Sequence, residues 1–155
     1  MDFHYESDQF VPASLQTVFT FFSRAENLEQ ITPQWLNFRI ISVEPAGEIR
    51  PGTRIQYALR WRIFPMRWTT EIKEWDPPHR FVDIQSRGPY RKWEHEHRFV
   101  AEDGGTRIYD RVTYALPFGV LGTVAHKLRV RRDVERIFRY RREVIERLFP
   151  GDKAA

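Results

Sequence analysis

Cysteine is absent from the 155 residues, which removes disulfides, thiolate metal sites and a Cys nucleophile from consideration. Long apolar runs are absent as well. No stretch approaches the roughly 18 apolar residues that a membrane-spanning helix needs. Met1–Gln9 carries three acidic residues and no apolar segment, unlike a secretory signal, so a cytoplasmic protein is expected. There is no internal repeat, no low-complexity linker and no cofactor-binding motif. One domain is therefore expected over residues 1–150, with a disordered tail at 151–155, and no cofactor is expected.

What the chain has in abundance is aromatic. It contains 12 Phe, 6 Tyr and 5 Trp within an overall composition that is 41% hydrophobic and 30% charged. Such a composition suits a globular core, and equally the wall of an apolar pocket. The most informative stretch is Trp93-Glu94-His95-Glu96-His97-Arg98-Phe99. With a strand's period of two, Trp93, His95, His97 and Phe99 share one face and Glu94, Glu96 and Arg98 the other. The charged face suits solvent, which leaves two imidazoles among aromatic rings on the inner face. Buried polar groups are costly unless partnered. A neighbouring strand satisfies them, or they line a cavity.

The remaining pattern is strand-rich. A first strand over His4–Val11 leads to a helix with Ser14 as N-cap and Leu15, Val18, Phe19 and Phe22 on its apolar side. A short helix over Ala25–Gln30 stops before Thr32-Pro33. Six strands follow over Phe38–Glu44, Thr53–Arg62, Arg67–Trp75, Arg80–Arg87, Tyr90–Ala101 and Thr106–Leu116, most separated by Pro- or Gly-containing turns. In the second of these, Ile55, Tyr57, Leu59 and Trp61 alternate with outward Arg54, Gln56, Arg60 and Arg62. The chain closes with one helix over Gly119–Phe149, about 45 Å long, whose stripe runs through Leu121, Val124, Leu128, Val134, Ile137, Phe138, Ile145 and Leu148. The fold class expected is α+β: a curved antiparallel sheet of seven strands wrapped on a long C-terminal helix.

The Asp103-Gly104 turn fixes the pairing of the last two strands. It sets Phe99 opposite Ile108, His97 opposite Asp110, His95 opposite Val112 and Trp93 opposite Tyr114, with Glu96 opposite Arg111 outside. A one-residue slip would destroy all these matches. His97–Asp110 has two readings. It is a satisfied interior pair whose carboxylate fixes the imidazole, or an acid/base dyad acting on a bound ligand. His95, His97 and Asp110 together also offer two nitrogens and an oxygen to a metal. A His-x-His pair alone is weak evidence, however, and a further ligand is lacking, so no metal is expected. Asp83 and Gln85 share a strand face whose direction the Gly88-Pro89 turn leaves open.

The segment Gly119–Phe149 holds nine basic and four acidic residues and so carries more than the whole chain's net charge of +4. A charge run is usually a solvated face. Nucleic acid is not an expected partner, while peripheral contact with a membrane through this helix stays open.

Taken together, the pieces resemble the START-like, or SRPBCC, superfamily, which includes polyketide cyclases, Bet v 1-like proteins and coenzyme Q-binding proteins. They are most similar to a bacterial ligand-binding subgroup labelled cell-division-inhibitor-like. The matching pieces include Val11-Pro12-Ala13, Pro51-Gly52-Thr53, Trp75-Asp76-Pro77-Pro78, Gly88-Pro89-Tyr90, Trp93-x-His95-x-His97-x-Phe99, Asp110-x-Val112-x-Tyr114, Leu116-Pro117-Phe118-Gly119 and Tyr140-Arg141. The resemblance implies a helix-grip fold enclosing a mostly apolar cavity. A monomer or a homodimer is expected, the latter if exposed aromatics on an edge strand pair two copies. The expected function is binding, transport or sequestration of a small hydrophobic lipid-, quinone- or polyketide-like molecule. Tyr57, Trp61, Trp68, Trp93, Phe99 and Tyr114 would form its walls, and His95, His97 and Asp110 would orient its polar group. The alternative is a cyclase/dehydratase-type enzyme with His97 and Asp110 as its acid/base pair.

Overall fold

In the computed structural model, residues 1–151 are described; the expected disordered tail falls almost wholly outside them. Seven strands form one antiparallel sheet: β1 (Phe3–Val11), β2 (Arg39–Glu44), β3 (Arg54–Trp61), β4 (Phe64–Asp76), β5 (Arg80–Arg87), β6 (Lys92–Glu102) and β7 (Gly105–Ala115). Their order is β1-β7-β6-β5-β4-β3-β2, so β1 and β2 are the two edges. Between them run α1 (Leu15–Phe22), α2 (Asn27–Ile31) and a single 3₁₀ turn at Gln34–Leu36. The Ser14 hydroxyl accepts the backbone N–H of Thr17 at 3.2 Å and caps α1 as expected, a bond worth about 1 kcal/mol.

The β6–β7 register is the one the turn implied: Trp93 opposite Tyr114, His95 opposite Val112, His97 opposite Asp110 and Phe99 opposite Ile108. Gly104 supplies the left-handed backbone, at φ 77°, that lets Asp103-Gly104 close this hairpin; glycine adopts it without steric cost. The β3–β4 hairpin, beyond β5 in the sheet, differs from expectation. Its turn lies at Arg62-Ile63, with Arg62 at φ 57°, and Pro65 is already inside β4 opposite Arg60.

The C-terminal helix is continuous but not uniform. An α-helical segment α3 (Gly119–Ala125) passes through a π-helical turn (His126–Val130) into α4 (Arg131–Leu148). Val134, Phe138 and Ile145 of α4 are buried against the sheet, as expected, but Leu121, Val124, Leu128 and Leu148 face solvent. The wider π turn adds backbone without advancing the 3.6-residue period. The stripe therefore loses phase, and Gly122, His126 and Val130 take the inward side instead.

The main core lies between α1 and the sheet end formed by β5, β6 and β7. Phe19, Phe22, Phe81, Phe99 and Ile108 pack there with Ile145 of α4. At about 1.5–3 kcal/mol for each large side chain removed from water, this cluster anchors one end of the domain. The other end is left hollow.

Candidate functional site

The hollow is a cavity of about 340 Å³ between the concave sheet face and α4, within the size range of small-molecule sites. Its aromatic side comes from Tyr57 and Trp61 at alternating positions of β3, from Trp68 of β4, from Tyr90 just before β6 and from Trp93 within it. These rings support one another, with Trp93 edge-on to Trp68 at 5.3 Å between centroids. The Tyr57 hydroxyl and Trp68 Nε1 both meet Thr70 Oγ1, each at 3.1 Å, so the wall's polar atoms are tied down. Burial holds the Tyr57 and Tyr90 phenols neutral, pushing both far above the ordinary tyrosine range.

The opposite side is ionic. His97 Nε2 donates to Asp83 Oδ2 at 2.8 Å, and His95 Nε2 donates to Asp110 Oδ1 at 2.8 Å. His97 Nδ1 lies 3.3 Å from the same Asp110 oxygen. Above them Arg141 of α4 brings a guanidinium to 3.6 Å from Asp110 and 3.4 Å from His97 Nδ1, held over the rings of Phe22 and Phe138. The histidines stack at 3.7 Å, and Phe81 covers His97 from the other side at 4.1 Å.

Burial and charge set the protonation states. For His97, burial favours the neutral ring, but bonds to Asp110 and Asp83 outweigh it and raise its pKa. For His95, burial and the neighbouring His97 charge push the pKa down to about 4, against the pull of Asp110. Burial alone would raise Asp83, yet its bond to His97 holds it below the usual carboxylate range. Asp110 is also buried, and the Arg141 charge with the His95 and His97 bonds holds it well below that range. The two carboxylates therefore favour the charged form of His97, while His95 between them stays neutral at neutral pH.

A consequence follows for hydrogen bonding. Because carboxylates accept only, neutral His95 must carry its proton on Nε2, and Nδ1 keeps a lone pair. That Nδ1 has no hydrogen-bond partner among the described residues, and His95 lines the cavity. It is an acceptor held ready by Asp110. Both nitrogens of His97, by contrast, are occupied.

Several expected site residues sit elsewhere. Tyr57, Trp61, Trp68, Trp93, His95 and His97 line the cavity, whereas Phe99, Asp110 and Tyr114 do not. Phe99 is packed under α1 among Phe19, Phe22 and Phe81, because α1 fills that end of the sheet. Tyr114 points behind the wall, its hydroxyl 2.9 Å from His126 Nε2. Asp110 reaches the cavity only through the residues it holds, His95, His97 and Arg141. The pairing also differs: His97 sits opposite Asp110 in the ladder, but its shorter bond is to Asp83, while Asp110 bonds His95. Diagonal neighbours on one sheet face lie within reach of long side chains, so register alone does not choose the partner. Asp83 thus faces inward, and Gln85 instead exchanges two hydrogen bonds with the backbone of Tyr90. Arg141 was hidden in the basic run of the last helix, yet it lies three residues after Phe138 and four before Ile145, on the buried stripe. A lone charge at that spacing was the available signal.

Asp83, His95 and His97 also offer one ligand atom each within 4.8 Å of one another. A cation there would compete with the proton shared by His97 and Asp83 and would face the Arg141 guanidinium, so the donor set suits its present ion pairs better than a metal.

Over residues 11–139 the sequence matches the family model described as polyketide cyclase / dehydrase and lipid transport. No curated protein matches it. Among solved structures, TTHA0849 from Thermus thermophilus is 23% identical, with a TM-score of 0.65 over 94% of this chain and 98% of that one. The di-domain ARO/CYC StfQ of the steffimycin biosynthetic pathway gives 0.74 at 12% identity, over 96% of this chain and 51% of that one. A norcoclaurine synthase point mutant from Thalictrum, in complex with a transition-state analogue, gives 0.67 at 14% identity over 96% of each chain. Such identities speak to the fold, a helix-grip sheet of the Bet v 1-like kind. The extent of the family match settles the rest: this chain belongs to the polyketide cyclase / dehydrase and lipid transport family.

Proposed function

We propose that the protein binds a small hydrophobic, ring-containing molecule of lipid, quinone or polyketide type in the internal cavity, for transport or sequestration. The observation that carries this reading is the unengaged Nδ1 of His95 at the end of an aromatic-walled cavity. A few placed polar groups in an apolar pocket orient a ligand without binding it for its charge. Neutral His95, with Nδ1 as a free acceptor, favours an uncharged ligand that brings a hydroxyl or other donor, and a hydroxyl oxygen can also accept from the unpartnered Nε of Arg141. Family membership supports the same class of cargo.

The cyclase/dehydratase reading has one supporting feature, a carboxylate-oriented imidazole beside the cavity. With its pKa near 4, however, His95 is unprotonated but a weak base, far below the near-neutral value that suits general base catalysis at pH 7. His97 has no free nitrogen to offer. Binding without turnover is therefore the better reading.

The test is a thermal-shift series with hydroxylated hydrophobic ring compounds and their methyl ethers. Hydroxylated compounds should raise the melting temperature, since ligand at about 100 times its Kd adds about 2.7 kcal/mol. The ethers, which leave His95 unpaired, should bind roughly tenfold more weakly. Equal binding of both series would sink the role of His95, and chemical conversion of the bound compound would restore the enzymatic reading.

A further inference from the structure

The segment before α4 is apolar on two opposite faces. Its inner face is anchored. A Cβ on Gly122 would collide with the carbonyl oxygen of Pro117, and His126 stacks on Phe3 at 3.5 Å while bonding the Tyr114 hydroxyl. Its outer face is bare: Phe118, Val120, Leu121 and Leu128 are 81%, 80%, 75% and 69% exposed, with Val124 between them at 49%. A helix that is apolar all round belongs in a core or in lipid. The charges beside it are mostly basic, although Asp133 follows and Arg131 is paired with Glu135 at 2.9 Å. Between Pro117 and Arg132 there are four bases, Lys127, Arg129, Arg131 and Arg132, and no acid.

The adjoining hairpin has the same character. Trp61 Nε1 donates to Asp133 Oδ2 at 3.1 Å and ties the β3–β4 tip to the start of α4. At that tip Ile63 and Phe64 are exposed next to Arg62. Trp61, Leu116 and Val130 also line the cavity, so the bare face borders the cavity's wall.

We propose that the outer face of α3, with the basic residues that follow it, docks this protein on an anionic lipid bilayer. Amphipathic elements of this kind lie in the interface, apolar side chains among the acyl chains and bases on the headgroups. Charge complementarity selects this occupant. A two-fold contact between copies would bring each basic cluster against its own equivalent, whereas an anionic bilayer neutralises it. No helix of the described residues is long and apolar enough to cross a membrane, so the contact is peripheral. The proposal does not depend on what the cavity holds.

Flotation with vesicles of phosphatidylcholine, with and without phosphatidylglycerol, tests it. The protein should float with the anionic vesicles, stay behind with the neutral ones, and be released at about 1 M salt, where charges are screened beyond about 3 Å. A Lys127→Gln/Arg129→Gln variant should bind about 25-fold more weakly, at roughly fivefold for each base. A Leu121→Asp/Leu128→Asp variant should not float at all, while keeping the wild-type melting temperature because both leucines are exposed. Absence of binding to anionic vesicles overturns the proposal, as does binding that both variants leave unchanged. A wild-type dimer that the leucine variant dissociates would instead make the face a contact between copies.

Discussion

The two faces of the β5–β6–β7 sheet are built with the same chemistry in different media. Outside, Arg80 bridges Glu74 and Glu96, Lys73 meets Glu94 at 3.0 Å, and Arg111 meets Glu6 at 2.8 Å. Inside, Asp83, His95, His97, Asp110 and Arg141 form one connected cluster. Bond lengths are similar, so distance does not distinguish the two faces. Solvent does. The outer groups lose little when a partner is removed, because water replaces it. The inner groups have no such replacement, and each depends on all the others.

The largest expected effect follows from removing the inner cluster's central acceptor. Asp110→Ala leaves His95 without its orienting partner and places His97 and Arg141 together with only Asp83 as counter-charge. Breaking a buried ion pair in this way costs about 3–5 kcal/mol, measured as a shift of the urea unfolding midpoint at unchanged m-value. A loss below about 1 kcal/mol would mean that the two faces are energetically alike. The second effect is a pH slope. The unfolded chain protonates His95 near pH 6.5, whereas in the folded state protonation waits until about 4. Stability therefore falls as pH drops through that window, by about 3 kcal/mol from this residue. Burial also lowers His126, which adds in the same direction. Asp83 and Asp110 have lowered pKa values, so their contribution is present above about pH 4 and is lost only below it. The His97 contribution, from a raised pKa, is complete below about 6.5 and is lost as pH rises further. Subtracting the His95→Gln profile from wild type isolates the His95 slope; parallel profiles would show that His95 titrates normally.

Periodicity and one glycine turn were enough for the β6–β7 register and for which side chains point inward, since both depend on local geometry. Partner choice was not local on either face. Glu96 sits opposite Arg111 as expected, yet Glu96 bonds Arg80 and Arg111 bonds Glu6. Inside, Asp110 and His97 are opposite, and each has its shorter bond elsewhere. Asp83 needed the parity of β5, which the Gly88-Pro89 turn obscured. Arg141 lies in phase with Phe138 and Ile145, but the basic residues around it masked its place on the buried stripe. The aromatic wall was easier to identify, because bulky rings on alternate strand positions have few other places to go.

The smallest expected effect bounds the comparison from the outer side. Glu6 and Arg111 are 63% and 62% exposed at their side chains, so Glu6→Ala should cost between about 0.2 and 1 kcal/mol at low salt. Ionic strength separates the two faces more sharply than size alone. Raising salt to about 1 M shortens the screening length to about 3 Å, which is comparable to the ion-pair distance, and the cost of Glu6→Ala should shrink toward zero. Asp110 is only 9% exposed at its side chain, and buried pairs are screened much less than exposed ones, so the cost of Asp110→Ala should change little between the two salt concentrations. The measurement is the difference between wild type and each variant in urea, at low and high salt, which cancels the general effect of salt on the fold. If the Asp110 cost fell in parallel with that of Glu6, the inner cluster would have to be open to bulk solvent, and the protonation states assigned to its histidines would fail with it.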